Sequence, residues 1–129
     1  MGRTTRLAAA LGATAMLLTA MVGPVAAKDG EIIRTGSCSG TADWKLKASP
    51  DNNRIQVEFE VDTTRIGRQW RVRVSDNGEV IFRGFRTTLA PSGSFSVELM
   101  TRDRAGSDRF VARARNVING QVCVGVLTF

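Results

Sequence analysis

Histidine is absent from the 129 residues, so the commonest general base and the commonest metal ligand are both missing. No GxSxG, no HExxH and no glycine-rich phosphate loop ahead of a helix occurs. Glu58, Glu60 and Asp62 share one side of an alternating run, the pattern of a solvated strand face rather than of a cleft. Cys38 and Cys123 are the only cysteines and fit no CxxC spacing. In an exported chain of this size they read as one disulfide that encloses nearly the whole domain. The residues therefore point away from an enzyme, and they call for no cofactor and no metal.

What the chain does carry is arginine. With Arg3 and Arg6 assigned to a leader, 16 Lys and Arg stand against 12 Asp and Glu, and 13 of those 16 cations are Arg. The guanidinium fork makes planar, bidentate contacts with carboxylate or phosphate, so this bias says more than the net charge. Arg71, Arg73, Arg83, Arg109, Arg113 and Arg115 all fall on the polar side of alternating runs. Val111 and Phe85 lie between them, and Val122, Val124 and Val126 join them if Cys123 points inward. A sheet face of this kind suits an anionic cell-wall polymer, lipid head groups or an acidic protein patch. Nucleic acid is disfavoured: there is no Tyr, and Trp44 and Trp70 both fall on inward positions, which leaves few stacking platforms. The competing reading is that these arginines pair with cross-strand Glu and Asp and merely keep an edge soluble.

Those side chains need strands to hold them. Trp70, Val72 and Val74 alternate with Arg71 and Arg73, and Asn77-Gly78 follows, where both residues tolerate the positive φ of a type I′ turn. Val80, Ile81 and Phe82 begin the return, so a β-hairpin with arginine on its outer face is predicted. Residues 54–62 give the cleanest alternation, with Ile55, Val57, Phe59 and Val61 inward. Residues 41–48, 95–99, 110–115 and 122–129 add further strands, and residues 49–53 read as a turn. A short edge strand or a flexible start is expected within residues 28–36, and the folded domain over 37–129.

Seven strands, frequent turn signals and no helical periodicity predict an all-β, seven-stranded antiparallel β-sandwich of immunoglobulin or fibronectin-III order with one disulfide; a small barrel is the alternative. In that order the strands at 41–48, 54–62 and 95–99 form one sheet and the other four form the second. The first sheet then shows Asp43, Lys45, Lys47, Glu58, Glu60, Asp62 and Glu98, acidic on balance, and the second is basic. Docking of one copy's basic face on another's acidic face would give self-association. A different use of the scaffold is a protease inhibitor or small-ligand carrier built on the loops at 63–69, 87–93 and 102–107.

Residues 1–27 read as a secretory signal peptide: Arg3 and Arg6, an apolar run over 7–22, and Val25-Ala26-Ala27 as the cleavage site. The apolar run is shorter than the roughly 20 residues of a membrane span. The expected product is a secreted chain beginning at Lys28.

The segments GSCSGTADWKLK (36–47), RIQVEFEVD (54–62), WRVRV with Asn77-Gly78, and DRFVARAR (108–115) together resemble small secreted actinobacterial proteins with no assigned activity. The resemblance covers most of residues 36–129. It implies an exported immunoglobulin-like sandwich and brings no functional residues. The fold and export route are also similar to those of secreted immunoglobulin-like apoproteins that bind enediynes and of small secreted protease inhibitors. Those usually carry two disulfides, whereas this chain can form one and has no reactive-site loop held by a local bridge.

Overall fold

A computed structural model describes residues 30–129. The signal peptide expected over residues 1–27 lies outside the described residues. Eight strands follow one another: β1 (Ile32–Ser37), β2 (Asp43–Asp51), β3 (Arg54–Asp62), β4 (Gln69–Asp76), β5 (Glu79–Thr87), β6 (Ser94–Arg102), β7 (Arg109–Asn116) and β8 (Val122–Thr128). They form two four-stranded antiparallel sheets, in the orders β1-β2-β3-β6 and β5-β4-β7-β8. No helix occurs among the described residues. The division of the seven predicted strands between the sheets is the one expected from the sandwich order, with β1 added to the first sheet.

The count is eight rather than seven because the short edge strand forms, as β1, and runs on through Gly36 and Ser37. The Gly and Ser residues around Cys38 predict a loop there. Gly36 stays extended under the Trp44 indole, where a Cβ would lie 2.6 Å from Trp44 Cζ2. Likewise the turn expected over 49–53 contracts to Asn52-Asn53, both at positive φ (47° and 63°), and Ser49, Pro50 and Asp51 continue β2. Pro50 lies beyond the last β1–β2 pair, Ile32 opposite Ala48, so its missing N–H interrupts no ladder on that side.

Between the sheets the period-2 pattern produces one core. Leu46 and Ala48 of β2, Ile55 to Val61 of β3, Trp70 to Val74 of β4, Phe95 and Val97 of β6, Phe110 to Ala114 of β7, and Cys123 and Leu127 of β8 supply its inward side chains. Trp70 is fully buried, with Phe95 at 6.2 Å between ring centroids. Trp44, expected inside, is half-buried: it lies across Gly36 and Gly125 at the margin. The Asn77-Gly78 turn has the positive φ pair expected of it (48° and 85°), and Asp76 pairs with Glu79 across it.

The disulfide Cys38–Cys123, with Cα atoms 4.3 Å apart, ties the β1–β2 turn of the first sheet to β8 of the second. Beside it Ser39 N–H donates to the Val122 carbonyl (2.8 Å), and Val122 N–H donates to Ser39 Oγ (2.9 Å). The Gln121 carboxamide oxygen faces the N–H groups of Gly40, Thr41 and Ala42 (3.1, 2.8 and 3.0 Å). The β3–β4 and β5–β6 loops at this end are also laced together: Thr63 N–H and Oγ1 both donate to the Gly93 carbonyl, and Gly67 N–H to the Thr88 carbonyl. Gly93 has φ +76°, and a Cβ there would stand 2.4 Å from the Arg65 backbone nitrogen. Gly93→Ala is therefore expected to lose about 2 kcal/mol in chemical denaturation, from left-handed backbone strain and a collision with main chain.

Candidate anion-binding face

On the outer face of the second sheet the register places arginines directly opposite one another. Arg83 of β5 pairs with Arg73 of β4, and Arg73 with Arg113 of β7. One step along the strands, Phe85 pairs with Arg71 and Arg71 with Arg115. Five of the six predicted arginines thus form two adjacent rows. The sixth, Arg109, shares the face but lies further down β7, beyond a row made of Ser75, Val111 and Val126. On β8 the rows end in valines: Val122 opposite Arg115 and Val124 opposite Arg113. Cys123 is buried, so the three valines do turn outward with the arginines.

The rows contain no carboxylate. Among the described residues, none of these six arginines makes an ion pair; the ion pairs formed involve Lys47, Arg102 and Arg104. The cross-strand pairing that would make the arginines a merely solubilising pattern is therefore not present among those residues. The Arg71 guanidinium carbon lies 5.4 Å from the centroid of the exposed Phe85 ring, a cation–π contact. The two rows enclose a groove of about 580 Å³. Like charges directly opposite on a sheet destabilise it. Arg73, central in its row, faces Arg83 on one side and Arg113 on the other. Arg73→Thr is expected to raise the melting temperature at low salt, by a few tenths of a kcal/mol in stability, and the gain should vanish at high salt.

The first sheet's outer face carries the acidic excess. Lys47 is bracketed by Glu58 (3.5 Å) and Glu31 (3.6 Å), and Glu58 above all holds its pKa above the ordinary lysine value, against partial burial. Lys45 stands opposite Glu60, and Asp43 opposite Asp62. The molecule is thus polarised, cationic on one broad face and anionic on the other.

The loops do not converge as the carrier reading requires. Residues 63–68 and 88–93 lie at the end where β3 finishes and β6 starts, since Asp62 pairs with Ser94. Residues 103–108 follow Arg102, which pairs with Arg54 at the opposite end. At the first end the loops at 39–41, 63–68 and 118–121 instead surround a cavity of about 670 Å³, with Arg65, Arg68 and the exposed Ile118 on its wall.

At the opposite end lies a cluster that sequence reasoning missed. Asp76 and Asp108 are both fully buried. Arg104 Nε donates to Asp76 Oδ2 at 3.1 Å, its guanidinium also bonds Glu79, and its backbone N–H donates to Asp108 Oδ2 at 3.3 Å. Burial first, then the hydrogen bond and charge of Asp108, push the Asp76 carboxyl up to about 6, with Arg104 opposing. Arg104 holds Glu79 below its ordinary value, chiefly by hydrogen bonding. The signal was present in the sequence: Asp76 occupies the inward position after Trp70, Val72 and Val74.

Fold and face together define a small two-sheet, all-β protein clipped by one disulfide, with one arginine-lined sheet surface. No protein-family model matches the chain, and no curated protein or solved structure matches it either.

Proposed function

We propose that this is a secreted, non-enzymatic binding module that engages an anionic extracellular or cell-surface partner through Arg71, Arg73, Arg83, Arg113 and Arg115. One observation carries the reading: five arginines occupy two neighbouring cross-strand rows with no carboxylate among them. A sheet bears that repulsion at a cost in stability, and an anion removes it. The scaffold is read as an immunoglobulin or fibronectin-III type sandwich. In support, β2-β3-β6 opposes β5-β4-β7-β8, the order expected for that type, with β1 added outside β2. Export rests on the leader-like residues 1–27 and fits a disulfide-clipped domain. Among the described residues, no helix is long and apolar enough to cross a membrane.

The test is retention on immobilised heparin and on anionic liposomes at low salt. Wild type is expected to be held and to elute with salt, and the Arg71→Ser/Arg73→Ser/Arg113→Ser protein to pass through. Equal retention of the two would end the proposal. A second reading, a small-ligand carrier or inhibitor, is favoured only by the loop-end cavity beside Arg65 and Arg68. Capture of one stoichiometric small molecule or protease from culture supernatant by wild type, and not by Arg65→Ser/Arg68→Ser, would support it.

A further inference from the structure

The groove on the arginine face has a direction, and the direction identifies its occupant. Its floor is the row between the two arginine rows: Gly84, Val72 and Ala114, paired in register across β5, β4 and β7. Val72 and Ala114 are buried and Gly84 has no side chain, so the floor is main chain. One wall is Arg83, Arg73 and Arg113; the other is Phe85, Arg71 and Arg115. The channel therefore crosses the strands instead of following one. The walls stand two residues apart along each strand, about 6.8 Å, and successive arginines along a wall stand one strand spacing apart, about 4.8 Å.

We propose, building on the anion-binding reading, that the channel holds a single linear chain of phosphate groups lying perpendicular to the strands. Walls this close leave no room for a duplex or an acidic helix between them, whereas a chain one phosphate thick fits once the long arginine side chains fan outward around it. A tetrahedral phosphate presents non-bridging oxygens to both sides at once, and here guanidinium forks approach from both sides. A planar bilayer would meet the tips of the arginines and leave the channel unfilled. At β8 the walls become Val122 and Val124, so the charged stretch is three strands long on one wall and two on the other, and the β8 end of the site is apolar on both walls. The bound chain consequently runs out over the β5 edge, past Phe85. Two chemistries share this pattern, phosphoanhydride chains and phosphodiester polymers such as poly(glycerol phosphate).

Isothermal titration with sodium polyphosphate, poly(glycerol phosphate), orthophosphate at equal phosphate concentration, and phosphatidylglycerol vesicles tests this. Measurements use wild type, Arg83→Ser/Arg113→Ser and Arg109→Ser. At least one of the two chains should bind tenfold or more tighter than orthophosphate, and comparing the two chains assigns the linkage. Five contacts predict a slope of log K against log salt of about −3.5, or roughly a 100-fold loss between 50 and 200 mM. The double variant should bring the slope to about −2, and Arg109→Ser, outside the channel, should leave it unchanged. Chains that bind no better than orthophosphate, or that ignore Arg83→Ser/Arg113→Ser, overturn the inference. If vesicles bind with the same arginine dependence while the chains do not, the channel assignment falls and the anion-binding face stands. If neither chains nor vesicles bind but heparin is retained, the phosphate-chain assignment falls and the anion-binding face stands; if heparin is not retained either, both fall.

Discussion

The Cys38→Ala/Cys123→Ala protein is expected to lose about 4–5 kcal/mol of stability. The bond joins residues 85 apart, so its removal frees almost the entire domain in the unfolded state, and loop-closure entropy at that length gives this value. A domain of this size has only about 5–15 kcal/mol in total. The melting temperature should fall by roughly 20–35 °C, and partial unfolding at 37 °C is within range. The native geometry should nevertheless survive. The β1–β2 turn is also held by Cys38 N–H to the Ala42 carbonyl (2.8 Å), by the reciprocal Ser39–Val122 pair and by Gln121. Amide chemical shifts away from residues 36–44 and 121–125 should therefore match wild type. A loss below about 1 kcal/mol in guanidinium denaturation would show that the clip matters little.

The second large effect is on acid–base behaviour. Asp76 has its folded-state pKa raised from 3.8 to about 6, mainly by burial and then by Asp108. A raised carboxyl means that the folded protein holds a proton which the unfolded chain has released. The stabilisation from the Asp76 proton is therefore fully present below about pH 4 and is lost as pH rises to about 6, by up to about 3 kcal/mol at 1.36 kcal/mol per pKa unit. Glu79 acts with opposite sign at lower pH: its pKa is depressed by Arg104, so its contribution is lost on acidification below the ordinary glutamate range. Asp108→Asn removes the facing negative charge while keeping an oxygen for the Arg104 N–H. That variant should flatten the decline between pH 4 and 6 and be more stable than wild type at pH 7.5. Urea midpoints that rise over that interval in wild type, or a variant that follows the wild-type curve, would contradict the arrangement.

Much of this was legible in residue order, for a physical reason. Strands of period 2 force Ile55, Val57, Phe59 and Val61 to one side whatever their partners, and Asn77-Gly78 closes β4 on β5, but a bulge between Val74 and Ser75, with Ile81 as the extra residue, shifts the register so that Arg73 faces Arg83. Once Trp70, Val72 and Val74 were inside, Arg71 and Arg73 had to be outside. What the alternation could not supply was rows, because opposition across β4 and β7 depends on a long-range pairing. That is why alternation alone places Arg109 with five residues from which Val111 and Ser75 separate it. Three further features depend on packing and chain path that period-2 alternation does not encode. Gly36 is extended because Trp44 covers it. Trp44 stays half-exposed because Gly125 gives it a seat at the margin. The loop at 103–108 faces away from the others because β6 reverses the chain. Asp76 was visible as a charge in an apolar alternation, but its partner Asp108 lies in a different loop.

The proposed binding of anions at the two arginine rows of the second sheet can be followed residue by residue. The probe is the set of arginine side-chain Nε–Hε resonances, observed by NMR while a short heparin oligosaccharide is titrated in at low salt. Saturable shifts are expected at Arg71, Arg73, Arg83, Arg113 and Arg115, with Arg34, Arg54 and Arg102 unmoved. Shifts spread evenly over all arginines, or confined to Arg65 and Arg68, would contradict it.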